Sequence, residues 1–345
     1  MTFLQRASVL LISLSLAACG GGGSSGTGDA SLGNGDHGST APTKNQLFVG
    51  DSNQLAFAAL TTLKPATGTL PAKVLDIGQL VMWQGIAYHL KQDRLYANDT
   101  RTISVFDNAS LLNGRIAPTR SITPLIPGLQ LLHGMQLDMD KNVLYVGYTT
   151  GNGYSVAVFE GISALTGSVA PKRVITGVSA DDFVVDTVQN ILYTRNRGIA
   201  DAKVYAYPEQ SKINGAASFI TRKTLSLPLP NVTGLALDTA HDRLYFGVLR
   251  NGANGGGVGV VDLASTRGTP DAQGIDHTPA SLIALPNGAA HDIGLAYDPS
   301  NDRLYAGLEN NVYILDAASK MQAGTPTNAV LVTAPAGSAI TTFAF

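Results

Sequence analysis

The 345-residue sequence contains one cysteine, Cys19, which excludes an internal disulfide and any paired-thiolate metal or redox site. Charged residues make up only 14% of the chain, and the formal net charge is −2. No basic stripe or cluster occurs, so nothing attracts a phosphate backbone and no nucleic-acid partner is expected. No apolar run is long enough to cross a bilayer as a helix, and no His-Glu-x-x-His pair is present to hold a catalytic zinc. The chain is instead rich in turn formers, with 38 Gly and 16 Pro. Between them lie apolar runs of four to six residues, which predict many short strands and an all-β fold.

The N-terminal residues are of another kind. Arg6 precedes the apolar run from Val9 to Leu16, the size of a signal-peptide core rather than a membrane span. Leu16-Ala17-Ala18-Cys19-Gly20 resembles the lipobox of bacterial lipoproteins. That resemblance implies a signal peptide over 1–18 and a lipid on the Cys19 thiol, with several acyl chains holding the mature protein to a membrane. With Gly20 rather than Asp after the cysteine, it also implies a bacterial cell-envelope location at the outer membrane. Residues 19–44 are mostly Gly, Ser, Thr, Asp and Asn, which read as a flexible tether with little to bury.

From residue 45 onward one unit recurs. Gly85, Gly134, Asp182, Gly234 and Gly294 are each followed eleven positions later by a tyrosine: Tyr96, Tyr145, Tyr193, Tyr245 and Tyr305. A leucine precedes each of these tyrosines. After the Leu-Tyr strand comes an alternating strand such as Ile103–Asp107 or Val312–Asp316. A connection marked by Ser, Gly and often Pro follows, as in Ser110, Gly114 and Pro118, and then a last strand. Four strands per unit at this period predict propeller blades. The first unit, around Phe48, lacks its innermost strand, and residues 340–345 are an innermost strand with nothing after it. The expectation is therefore a six-bladed β-propeller of four-stranded blades over 45–345. Its ring closes where the N-terminal strands pair with the C-terminal one. The repeated Asp-Arg-Leu-Tyr signature and the Asn108-Ala109-Ser110 connection resemble bacterial propellers of the NHL, YncE-like and lactonase-like superfamily.

The positions just before each innermost strand differ from unit to unit, while the scaffold positions repeat. In a propeller they line the mouth of the central channel. Gln84, His133, Asp181, Asp182, His291 and Asp292 are the candidate ligand-binding residues there, a set that could also hold a divalent metal. Arg195, Arg197 and Arg250, from the loops at the same end, could form an anion-receptive patch. The turn residues Asp93, Asp242 and Asp302 are expected to pair with the adjacent Arg94, Arg243 and Arg303, and His89 and His241 to lie on the surface. No catalytic residue is assigned. Two readings remain. One is a lipid-anchored binding or scaffold module without cofactor, whose top face meets an envelope protein, peptide or glycan. The other is a metal-assisted, lactonase-type hydrolase working at the channel mouth.

Overall fold

The computed structural model describes residues 46–51, 56–61, 68–69, 73–77, 85–180, 182–195, 203–218, 221–229, 232–249, 256–270, 276–285, 293–308, 311–324, 330–333 and 340–344. Its strands begin with β1 (Gln46–Asp51), β2 (Ala56–Thr61), β3 (Gly68–Thr69) and β4 (Lys73–Asp76). Next come β5 (Ile86–His89), β6 (Arg94–Asn98), β7 (Ile103–Asp107), β8 (Gly114–Arg115) and β9 (Arg120–Pro124). The third stretch holds β10 (Leu131–Asp138), β11 (Val143–Thr150), β12 (Gly153–Glu160), β13 (Gly167–Val169) and β14 (Arg173–Thr176). The fourth holds β15 (Asp182–Asp186), β16 (Ile191–Arg195), β17 (Lys203–Pro208), β18 (Gly215–Ala216) and β19 (Lys223–Ser226). Then follow β20 (Val232–Asp238), β21 (Arg243–Val248), β22 (Gly257–Asp262), β23 (Thr269–Pro270), β24 (Asp276–His277) and β25 (Ser281–Ala284). The last are β26 (Gly294–Asp298), β27 (Arg303–Leu308), β28 (Asn311–Asp316), β29 (Val330–Thr333) and β30 (Ile340–Ala344).

These strands form an all-β propeller of sheets that differ in size, which corrects the expectation of six equal blades of four strands. Among the described residues the sheets hold four, five or six strands, and only the one built from β20, β21, β22 and β25 has four. The extra strands are the connections themselves. β8 pairs in parallel with β4, β13 with β9, β18 with β14, and β3 with β29. β23 and β24 both add to β19, and a single bridge joins Gly324 to Ile283. Each connection therefore leaves its own sheet and binds the outer strand of the sheet before it. Gly114 and Gly167 open two of these crossings at φ 72° and 69°, a region costly for residues with a Cβ. Two sheets draw on both ends of the described chain: β30 pairs antiparallel with β1, Val49 facing Phe343, and β3 lies in parallel on β29.

Why the unit repeats is visible in its hydrogen bonds. Asp93, Asp242 and Asp302 sit in the left-handed region, at φ 47°, 53° and 48°, which short polar side chains tolerate better than most. Each carboxylate accepts both the backbone N–H and the hydroxyl of the serine after the third strand. For Asp93 and Ser110 these bonds are 2.8 and 2.7 Å, and Ser265 and Ser319 repeat them on Asp242 and Asp302. Asn142 and Asn190 do the same work with an amide, taking the N–H of Ser163 and Ser211. Burial opposes ionisation of Asp302, but the Ser319 bonds, together with the Tyr297 hydroxyl and His241, hold its carboxyl below the ordinary range.

The arginines do not pair with these adjacent aspartates. Arg94, Arg243 and Arg303 reach across to Asp107, Asp262 and Asp316 on the neighbouring strand, directly opposite in register. Residues directly opposite each other across an antiparallel ladder are side-chain neighbours however far apart they lie in sequence, whereas consecutive strand residues point to opposite faces.

The core lies in the seams between sheets. One apolar cluster joins Phe48 and Leu75 to Tyr88 and Phe106; another joins Tyr96 and Val105 to Leu144 and Phe159. Tyr145, Tyr193 and Tyr245 occupy the corresponding place in the next three. The repeated tyrosines are thus packing residues between sheets, as their register suggests.

Replacing Asp93 by Ala should cost about 3 kcal/mol, because Ser110 and the Tyr88 hydroxyl (2.8 Å from Asp93 Oδ1) lose their acceptor and Ala is strained at positive φ. Asp93→Asn should cost clearly less. Denaturant unfolding of the two variants checks the order, and a negligible loss in Asp93→Ala would show that the side chain is not what closes the turn.

Candidate functional site

Sheet register places the start of the inner strands, the end of the second strands and the start of the third at one end of the propeller. His133 and Asp182 are the candidate residues described there. Cys19, Gln84, Asp181, His291 and Asp292 lie outside the described residues, as do Arg197 and Arg250.

His133 belongs to β10 and is half-buried. Its Nε2 lies 3.3 Å from Thr149 Oγ1 at the end of β11. The ring packs against Tyr154 of β12, centroids 5.4 Å apart. Its carbonyl accepts a bond from the Asn98 side chain of the neighbouring sheet. The imidazole is thus oriented by a hydroxyl and an aromatic face.

Asp182 opens β15 directly opposite Arg195, the last residue of β16. Arg195 Nε donates to Asp182 Oδ2 at 2.8 Å, and the two residues are 0% and 2% exposed. At the matching place in β26 and β27, Gly294 faces Gly307. One sheet therefore carries a buried ion pair where another carries no side chains. Arg195 is accordingly not part of an exposed anion patch. Burying two charges costs several kcal/mol before their attraction offsets it, so the pair is not a packing default.

Close packing surrounds this layer. Thr233 Oγ1 accepts the Ile293 N–H at 3.2 Å, tying two sheets together. A Cβ on Gly234 would stand 2.0 Å from the Ile293 carbonyl oxygen, so this approach requires glycine.

The channel holds a cavity of about 190 Å³ walled by the inner strands. Ile86, Met135, Val185, Leu237 and Tyr297 line it, with Thr239 from a turn at the far end. Neither His133 nor Asp182 lines this cavity, so it lies deeper than the mouth expected from sequence. The Gln136 side chain crosses its wall, donating to the Val185 carbonyl (3.0 Å) and accepting from the Val185 N–H. Among the described residues no three His, Cys, Asp or Glu side chains come together as metal ligands.

The turns at the opposite end hold two histidines. His241 is exposed, as expected, and its Nδ1 lies 2.7 Å from Asp238 Oδ2. His89, expected on the surface, is 2% exposed. It stands where the other units place Asp138, Asp186, Asp238 and Asp298 before the turn, and it closes β5 facing Arg94. Burial, aided by Arg94, pushes its imidazole pKa down. Sequence gave no sign of this, because a histidine beside a polar turn reads as solvated.

No protein-family model and no curated protein matches the chain. Solved structures do. A chain in the crystal structure of a nidogen/laminin complex is 14% identical with a TM-score of 0.53, covering 86% of this chain and 99% of that one. Hydrazine synthase of Kuenenia stuttgartiensis is 13% identical with a TM-score of 0.52, covering 80% and 74%. A protein assigned as a 6-phosphogluconolactonase, from Bacteroides uniformis, is 13% identical at the same TM-score, covering 86% and 83%. At such identities the likeness shows the β-propeller fold alone.

Two outcomes are expected. Arg195→Met should destabilise the protein by about 3–5 kcal/mol by stranding a buried carboxylate, whereas Asp182→Gly/Arg195→Gly, copying Gly294 and Gly307, should cost less than that single change; thermal unfolding of both decides. The lowered pKa of His89 means that the unfolded chain takes up its proton first as pH falls. The stability it contributes is therefore present above about pH 6.5 and lost below it. Stability measured from neutral to mildly acidic pH should fall less steeply in His89→Gln.

Proposed function

We propose that this protein is a lipid-tethered propeller of the bacterial cell envelope, held at the outer membrane through Cys19 and acting as a binding or scaffold module rather than an enzyme. The observation that carries the reading is the contrast at the channel mouth. The clamps and seams repeat from sheet to sheet, but the mouth carries an oriented histidine in one sheet, a buried Asp182–Arg195 pair in the next and facing glycines in another. A scaffold of repeated units gains nothing in packing from such variety, and the half-buried His133 with Tyr154 is the part of it within a partner's reach. A complex between nidogen and laminin is among the structures of similar fold; at that level of likeness it is an analogy in favour of binding.

The lipid anchor is tested by metabolic labelling with a palmitate analogue: the wild type should be labelled and recovered with membranes, and Cys19→Ala should be neither. For the mouth, cross-linking in envelope extract should recover partners that a His133→Ala/Tyr154→Ala variant loses. The same partners on the altered protein would overturn a binding role for this end. About one tightly held divalent metal per chain after dialysis, lost in His133→Ala/His291→Ala, would instead favour metal-assisted hydrolysis.

A further inference from the structure

A second concavity lies at the same end of the propeller, outside the channel. It is a cleft of about 380 Å³, within the size range of small-ligand sites. Leu125, Ile126 and Pro127, in the segment running from β9 to β10, form one lip. Pro171 and Val174 form the other, and Tyr148 and Ser155 of β11 and β12 lie between them. Thr150, Asn152, Thr176 and Gly177 complete the lining.

The walls are fixed before any ligand arrives. The Leu125 N–H donates to the Val169 carbonyl at 2.8 Å, and β13 ties the end of β9 in place. Tyr148 and Ser155 are both buried, and the Asn152 N–H donates to Thr150 Oγ1 at 3.1 Å. Preorganised walls reduce the ordering cost of binding.

Chemistry then narrows the occupant. No lining residue carries a charge at neutral pH, so phosphates and carboxylates find no counter-charge to offset their desolvation. A peptide strand cannot extend the sheet at this corner, because β18 already occupies the free edge of β14 at Ile175 and Thr176. An acyl chain would desolvate the hydroxyl and amide groups of Thr150, Asn152, Ser155 and Thr176 without returning a hydrogen bond. A ligand with apolar C–H faces and many neutral hydroxyls satisfies both kinds of wall.

We propose that the cleft between the Leu125–Pro127 segment and the top of β11, β12 and β14 binds a neutral saccharide of one or two rings. Leu125, Ile126, Pro127 and Pro171 pack on the ring C–H faces, and the side chains of Asn152, Thr150 and Ser155 hydrogen-bond its hydroxyls. This rests on the binding-module reading and names a ligand class for its top end.

The test is two-dimensional NMR of the full propeller titrated with cellobiose, maltose and N,N′-diacetylchitobiose, and with glucose 6-phosphate as the charged comparison. At least one neutral sugar should shift the amides of Tyr148, Thr150, Asn152 and Ser155 with millimolar affinity, while glucose 6-phosphate binds about tenfold more weakly or not at all. Leu125 is 54% exposed, so Leu125→Arg should fold and block the cleft, and Asn152→Ala should weaken binding without blocking it. Absence of shifts with all three sugars overturns the proposal, as do shifts that persist in Leu125→Arg or equal binding of the phosphate. If envelope partners are still captured through the mouth when no sugar binds, the saccharide proposal fails and the binding-module reading stands.

Discussion

A short polar side chain held in the left-handed region and closed onto a serine is the constraint from which, among the described residues, five of the sheets take their shape. Asp93, Asn142, Asn190, Asp242 and Asp302 all stand at the entrance of a second strand and bind the turn that leaves the third. That bond fixes how far the third strand runs and where the chain turns outward. It also sets the strand register that puts Arg94 opposite Asp107 and Arg303 opposite Asp316. An aspartate or asparagine satisfies it because each carries an acceptor on a side chain short enough for positive φ.

From this turn the chain makes its second commitment, to the neighbouring sheet. The crossings at β8, β13, β18 and β3 lay two or three residues along the outer strand of the sheet before. Arginines add to the seam from the same region. Arg120 donates to the carbonyls of Ser163 and Leu165, Arg173 to those of Gln210 and Ile213, and Arg243 to that of Ala318. Sheets are thus stitched at the rim by backbone and guanidinium bonds, and filled nearer the axis by Tyr96, Tyr145, Tyr193 and Tyr245. Such seams leave the inner ends of the strands free to vary without loss of the fold.

The Gly-to-Tyr step and the alternating third strand were legible because burial imposes a period on them, and the tyrosines proved to pack where the period implied. The crossing strands were not legible. Two residues such as Gly114-Arg115 carry no alternation, and their partner lies in another unit. The aspartate–arginine pairing was misread for a related reason, since neighbours in sequence are not neighbours across a ladder. The mouth was legible only as a place where the units disagree: it marked Asp182 as unusual, but Arg195 emerged as its partner only from the register of β15 on β16. The cleft beside Tyr148 left no trace, because it is assembled from a connecting segment and three strand ends with no shared motif.

The pairing of β1 with β30 sets an order of events in time. As the chain leaves the ribosome, β1 is made first and can pair at once with β2, but its other edge has no partner until the last strand has been synthesised. Throughout that interval the nascent protein carries an open, apolar sheet edge of the kind that invites association with other chains. Ring closure is also the contact of greatest sequence separation in the fold, and such contacts form slowly. For this propeller the last described strand completes the sheet of the first, so the edge of β1 waits longest for its partner.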